Sequence, residues 1–242
     1  MISSFDQLLA KAQAEGPKAV VAVGAQQDSV LEAVSAAQQR GIARGILVGD
    51  AAAIRQEAAL CGVALEDMEM IDEPTMEGAA RRAMMLIAAG KAQIAMKGKI
   101  DTATFLRAVL DRELGMRTGR LLSHVAVFDM KELGRLLLIS DAGVNIAPTL
   151  EQKADIVRNA IYVAHRLGIE TPRVAVLAST ETVNPRIPAN VEAAALAKMA
   201  DRQQITGAVI DGPLALDNAI SPDALRDKDI VSSVAGQADI LM

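Results

Sequence analysis

Short apolar runs alternate along this chain with stretches whose apolar positions recur at helical spacing, and that alternation predicts a βα order. Lys18-Ala-Val-Val-Ala-Val-Gly24 reads as a buried strand, Asp28 to Arg40 as an amphipathic helix, Gly45-Ile-Leu-Val-Gly49 as a second strand and Asp50 to Leu60 as a second helix. The rhythm continues with a strand at Met68 to Ile71, a helix from Glu77 to Ala89, a strand at Gln93 to Met96 and a helix around Ala103 to Leu110. Strands separated by helices imply parallel pairing, because each crossover returns the chain to the same end of the sheet.

The middle of the chain departs from this pattern. His124-Val-Ala-Val-Phe128 and Arg135-Leu-Leu-Leu-Ile139 are separated by only six residues, Asp129 to Gly134, too few for a helical crossover, and predict an antiparallel hairpin. A long helix from Leu150 to Leu167 follows, then a strand at Arg173 to Leu177, an Ala-rich helix from Val191 to Asp201 and a strand at Gly207 to Ile210. A polar, turn-rich stretch runs to Asp229, and the chain closes on the apolar run Asp239 to Met242. The fold class expected is α/β, with a first region over residues 1–120 and a second over 121–242; no low-complexity linker divides them. An apolar final strand implies an exposed edge and an unburied face, so the second region reads as truncated at its carboxyl end.

A chain of 242 residues, 51% of them hydrophobic, can bury a sizeable core. Aromatic residues are only 2%, so the packing is aliphatic, and a nucleic-acid stacking platform is not expected. The net charge of -5 argues against polyanion binding as a main task, which needs clustered Lys and Arg. Cys61 is the single cysteine, so neither a disulfide framework nor a cysteine metal cluster is possible within one chain, and the expected location is cytoplasmic. Met1 to Gly16 holds no continuous apolar region, so neither a signal peptide nor a membrane span is expected there.

Candidate chemistry gathers immediately after the apolar runs. Four loops, Met96 to Thr102, Ile139 to Asn145, Leu177 to Asn184 and Ile210 to Asp217, are rich in Gly, Ser, Thr, Asn and Asp. Loops at strand ends are positioned by the sheet, and helix amino termini offer unpaired N–H groups to anions. One such loop is ordinary capping; four favour a binding cleft. Lys97 and Arg107 are placed to reach an oxyanion, although Arg107 equally suits an i, i+4 pair with Asp111, and Lys99 reads better as a solvated charge. Arg117-Thr-Gly-Arg120 before Ser123-His124 is either a second anion contact or a basic turn. No HExxH or Cys/His metal spacing occurs, no P-loop, no GxGxxG after the first strand and no GxSxG. A metal site, a dinucleotide site and a hydrolase elbow are therefore not expected.

At these same loops the sequence resembles the phosphate acetyl/butyryltransferase family, most closely its butyryl branch. The resemblance is carried by Met96-Lys-Gly-Lys, Phe105-Leu-Arg-Ala-Val-Leu-Asp111, Arg117-Thr-Gly-Arg-Leu-Leu-Ser-His-Val-Ala-Val-Phe128 and Ser140-Asp-Ala-Gly-Val-Asn-Ile-Ala-Pro148. Ala175-Val-Leu-Ala-Ser-Thr180, Ile210-Asp-Gly-Pro-Leu-Ala-Leu-Asp217 and Ser233-Val-Ala-Gly-Gln-Ala-Asp239 extend it over nearly the whole chain. It implies a two-domain fold like that of isocitrate and isopropylmalate dehydrogenases, a cleft between the domains and a homodimer. The implied reaction moves a short acyl group, butyryl or acetyl, between coenzyme A and inorganic phosphate, both substrates, with no cofactor, metal, nucleic acid or membrane. Carried over, Arg107 matches a phosphate- or CoA-binding arginine. Lys97, Gly98, Thr102, Ser123, His124, Asp141, Asn145, Ser179, Thr180 and Asp211 match cleft-lining positions.

The resemblance also implies a catalytic thiol base on a segment that follows the final strand in family members. The sequence ends at Met242 without it, so this chain by itself is expected to be weakly active or inactive. Two other readings stand beside the enzyme: a non-catalytic phosphate- or CoA-binding homologue, and an acyl-carrier-protein:phosphate acyltransferase. The second is disfavoured because an acidic chain is a poor electrostatic partner for an acidic carrier. Acyl-chain preference and direction of flux are not legible.

Overall fold

The computed structural model describes residues 1–226 and 230–242. The end of the polar stretch expected to reach Asp229 therefore lies outside the described residues. The chain divides into two compact units, Leu9–Gly119 and Arg120–Met242 joined by Met1–Leu8. The sequence expectation places those first eight residues with the first region; they pack instead on the second, Ile2 and Leu8 against its core and the Ile2 N–H donating to the Leu167 carbonyl at 2.9 Å.

The first unit is a parallel sheet in the order β3-β2-β1-β4, built from β1 (Lys18–Val23), β2 (Ala43–Gly49), β3 (Glu69–Asp72) and β4 (Ile94–Lys97). Side chains alternate across it as the pleat demands. Ala22 and Leu47 pack with α2 (Asp28–Gln39) and α3 (Ala51–Cys61), while Val21, Val23, Ile46 and Val48 pack with α4 (Met76–Ala88). The last helix, α5 (Thr102–Val109), adds Phe105, Ala108 and Val109 to the α4 side. An eleven-residue helix, α1 (Phe5–Glu15), precedes the sheet and buries none of its residues fully, which is why no strong apolar period announces it.

The second unit holds a five-stranded sheet, β5-β6-β9-β7-β8. The predicted hairpin is present as β5 (Ala126–Met130) and β6 (Arg135–Ile139), antiparallel, turned through a 3-10 segment and Gly134 in the left-handed region. The remaining strands, β7 (Arg173–Leu177), β8 (Val209–Leu214) and β9 (Ile240–Leu241), run parallel to β6. Helices α6 (Leu150–Arg166) and α7 (Pro188–Asp201) cover one face; α8 (Leu216–Ile220), α9 (Pro222–Arg226) and the Val234–Ala238 turn cover the other.

Two expectations are corrected here. The terminal run is not an edge: β9 lies in the middle of the sheet, bonded to β6 and β7, with Ile240 and Leu241 buried on both faces. Chain order does not reveal spatial order, and an insertion between two earlier strands satisfies the backbone that an edge would leave open. Likewise the strand expected to stop at Ile210 continues to Leu214. Gly212-Pro213 reads as a turn, yet the strand runs on past a shift in register, where a Cβ on Gly212 would stand 2.7 Å from the Val176 carbonyl oxygen and only glycine fits.

Candidate functional site

In the first unit the candidate residues follow β4. Lys97 is the last residue of the strand, and the Gly98 and Lys99 N–H groups donate to the Val23 and Gly24 carbonyls at 2.8 Å each. This lacing fixes the turn by which the chain enters α5. Asp101 caps that helix, accepting the Thr104 N–H at 2.8 Å, and Thr102 is its exposed first residue. The Thr104 N–H, then the Thr104 hydroxyl, and at longer range the Arg107 guanidinium hold the Asp101 carboxyl below its ordinary value.

Lys97, Lys99 and Arg107 are all exposed, and none makes an ion pair among the described residues. The pairing of Arg107 with Asp111 is not formed; Asp111 instead accepts the Glu113 N–H at 2.9 Å. Lys97 and Lys99 flank the start of α5, where unpaired N–H groups favour an anion, and Arg107 lies in its last turn. Arg117 is exposed on the chain beyond α5.

In the second unit the structure brings Ser123, His124, Asp141 and Asn145 together. Asp141 accepts four hydrogen bonds, from the His124 N–H at 3.1 Å, the Val144 N–H at 3.4 Å, the Asn145 N–H at 3.0 Å and the Asn145 side-chain amide. Its partial burial works against the charged form, but these donors, the Asn145 amide foremost, outweigh it and hold the carboxyl below its usual value. The Asn145 amide also donates to the Leu122 carbonyl at 3.0 Å, and the Ser140 hydroxyl to the His124 carbonyl at 2.7 Å. Asp141 and Asn145 are thus clasps between the segment before β5 and the loop after β6, their polar atoms taken up by the fold. The Ser123 hydroxyl accepts from Asn159 at 2.8 Å and keeps its own proton to donate, while the His124 imidazole is exposed with no hydrogen bond among the described residues.

The loop after β7 carries Ser179 and Thr180, both exposed. Thr180 is engaged through its carbonyl and hydroxyl oxygens by Asn190 of α7, at 3.1 and 2.8 Å, whereas the Ser179 side chain makes no hydrogen bond among the described residues. Asp211 lies within β8 rather than on a loop. It accepts its own neighbour's N–H, that of Gly212, at 2.8 Å and lines an open cavity of about 450 Å³ with Asp201, Ser232 and Ser233 on the flank of β8 and the end of α7. Sequence reading missed the partly buried Asn159 and the buried Asn190, since a helix amide that serves a distant loop leaves no periodic or motif signal. Among the described residues no group of three or more His, Cys, Asp or Glu is placed to hold a metal ion, and no helix is long and apolar enough to cross a membrane.

The family described as phosphate acetyl/butaryl transferase matches residues 3–82 and 73–242. The chain is 46% identical over 242 residues to the phosphate butyryltransferase of Clostridium acetobutylicum, covering 100% of this chain and 80% of that one. It is 43% identical over 240 residues to the phosphate acetyltransferase of Rhizobium meliloti, covering 99% of this chain and 76% of that one. Among solved structures it is similar to a branched-chain phosphotransacylase from Enterococcus faecalis, with a TM-score of 0.80 and 31% identity over 93% of this chain and 78% of that one. Nothing in these likenesses supports the expectation of an inactive chain.

Proposed function

The chain belongs to the phosphate acetyl/butaryl transferase family, and from that membership we propose which residues of each unit serve its reaction. The protein is a phosphate acyltransferase that moves a short acyl group between coenzyme A and inorganic phosphate. In the direction of acyl phosphate, an oxygen of HPO4 attacks the thioester carbonyl, a C–O bond forms and the C–S bond breaks. The phosphate proton ends on the departing thiolate, so the products are the acyl phosphate and the free thiol, and no electrons change hands.

Three requirements follow from this chemistry: cations for the phosphate, donors for the carbonyl oxygen as it becomes an oxyanion, and groups that hold the two substrates in line. The observation that carries the assignment is the exposed Arg107, without an ion pair among the described residues and at the end of a helix whose start is flanked by Lys97 and Lys99. Taking each unit by itself, we assign anion binding in the first to these cations with Thr102, on the turn that Gly98 shapes, and substrate binding in the second to Ser123, His124 and Ser179. Asp141, Asn145 and Thr180 hold the loops that carry those groups. Asp211 is assigned to the β8 flank, outside this set.

The enzyme works in this proposal as a cytoplasmic homodimer, takes coenzyme A and phosphate as substrates rather than cofactors, and shares the wider fold of isocitrate and isopropylmalate dehydrogenases. Support for the last is the layering of helices on both faces of parallel strands. The test is phosphate-dependent release of thiol from butyryl-CoA and acetyl-CoA, with Arg107→Ala as the discriminating variant.

A further inference from the structure

Three successive residues of the β7 end loop, Thr180, Glu181 and Thr182, are gripped by two buried amides from two different helices. The Asn190 nitrogen, in the first turn of α7, donates to the Thr180 carbonyl at 3.1 Å, the Thr180 hydroxyl at 2.8 Å and the Thr182 carbonyl at 2.8 Å. The Asn218 nitrogen, in α8, donates to the Glu181 carboxylate. Both side chains are wholly buried. Carbonyl oxygens only accept, so the amide nitrogen must be the atom that faces them. That orientation leaves the Asn190 and Asn218 side-chain oxygens buried without a hydrogen-bond partner among the described residues, a costly arrangement in a core.

On the other side of Ser179 the backbone is fixed by the sheet, where the Ala178 N–H donates to the Leu214 carbonyl at 2.9 Å and the Leu177 N–H to the Met242 carbonyl at 2.7 Å. Ser179 is therefore clamped before and after, exposed, and its hydroxyl makes no hydrogen bond among the described residues. Helix α7 begins without a side-chain cap, so the grip on this loop comes from Asn190 inside the helix rather than from its first residue.

We infer that Asn190 and Asn218 are positioning residues of the acyl-transfer site, holding the β7 loop in the one geometry that presents the Ser179 hydroxyl to substrate. This rests on the assignment of that loop to the site, and neither amide touches substrate itself. Thr180, whose acceptors are taken by Asn190, belongs with the supports.

The test compares Ser179→Ala, Asn190→Ala and Asn218→Ala in the full chain by steady-state thiol release from butyryl-CoA with phosphate varied, together with backbone hydrogen exchange of residues 178–183. Ser179→Ala is expected to raise the KM of one substrate about tenfold, the worth of one hydrogen bond. Both asparagine variants should raise the same KM, by roughly threefold to tenfold, and speed exchange of the loop. A merely structural role would lower the active fraction, and with it kcat, while leaving both KM values in place. Should Asn190→Ala fail to fold, Thr180→Val removes only the hydroxyl acceptor and should move the same KM by about twofold to threefold. Asparagine variants with wild-type KM values and exchange, beside an impaired Ser179→Ala, overturn the positioning role. Wild-type kinetics for Ser179→Ala in an active enzyme instead remove the β7 loop from the site, and the inference with it.

Discussion

Gly24 and Gly98 leave each other's strand end no room for a side chain. A Cβ on Gly98 would stand 2.5 Å from the Gly24 carbonyl oxygen, and one on Gly24, whose φ is +66°, would stand 2.8 Å from the Lys99 carbonyl oxygen. This close approach is what carries the chain from β4 into the loop bearing Lys97 and Thr102, with the Gly98 N–H on Val23 and the Lys99 N–H on Gly24. Gly98→Ala should cost about 2 kcal/mol of stability in urea unfolding, since the clash is with backbone and cannot be relieved by a rotamer change. An unchanged midpoint would mean the two strand ends have slack.

The Asp141 clasp has a pH signature. Its carboxyl is held below the ordinary 3.8 in the folded chain, so the stabilisation is complete above about pH 3.8 and is lost as pH falls through the lower folded value. Asp141→Asn should destabilise by about 2 kcal/mol at pH 7, because hydrogen bonds to a charged acceptor are lost or reversed. The gap between wild type and variant, read from unfolding curves, should hold from pH 7 to about 5 and narrow below 3.8. A gap of constant size down to pH 3 would remove the charged carboxylate as its cause.

Asp239 ties three strands at the amino end of β9. It takes Arg135 at 3.1 Å with one oxygen and the Arg173 N–H at 2.8 Å with the other, while its backbone bonds to Leu138 and Arg173. Asp239→Ala removes the counter-charge of a mostly buried guanidinium, leaving it the Gln237 carbonyl at 2.9 Å, and should cost about 3 kcal/mol, with little change in the KM of folded enzyme. Loss of activity without loss of stability would contradict this structural assignment.

Arg107 should behave in the opposite way. It is exposed and holds no ion pair among the described residues, so Arg107→Ala should leave the melting temperature nearly unchanged. The KM for phosphate should rise by roughly tenfold to a hundredfold, the scale of one charge-assisted hydrogen bond, and fall further behind wild type as salt is lowered. A variant with unaltered phosphate KM would take Arg107 out of the site.

Much of this was legible from residue order because local pattern and tertiary context agree. The continuous apolar runs at Lys18 to Val23 and Ala43 to Gly49 suit strands covered by helices on both faces, and the six residues between Phe128 and Arg135 leave room only for a hairpin. What escaped depends on distant partners. The place of Ile240-Leu241 between β6 and β7 is a matter of spatial order, and Gly212-Pro213 continues a strand only because Val176 and Ala193 press against a glycine. At the site, Asp141 and Asn145 look like ligand residues in sequence, but their polar atoms meet across a fold of seventeen residues to His124 and of twenty-three to Leu122. Asn190 and Asn218 have no sequence signature, since burial of an amide is decided by the loop it serves.

Acyl transfer between coenzyme A and phosphate is checked by following free thiol and acyl phosphate together as the chain turns over butyryl-CoA at increasing phosphate. Saturable, phosphate-dependent release of thiol is expected, matched one for one by butyryl phosphate and reversed by added coenzyme A. Thiol release indifferent to phosphate, or none at any phosphate concentration from folded protein, would contradict it.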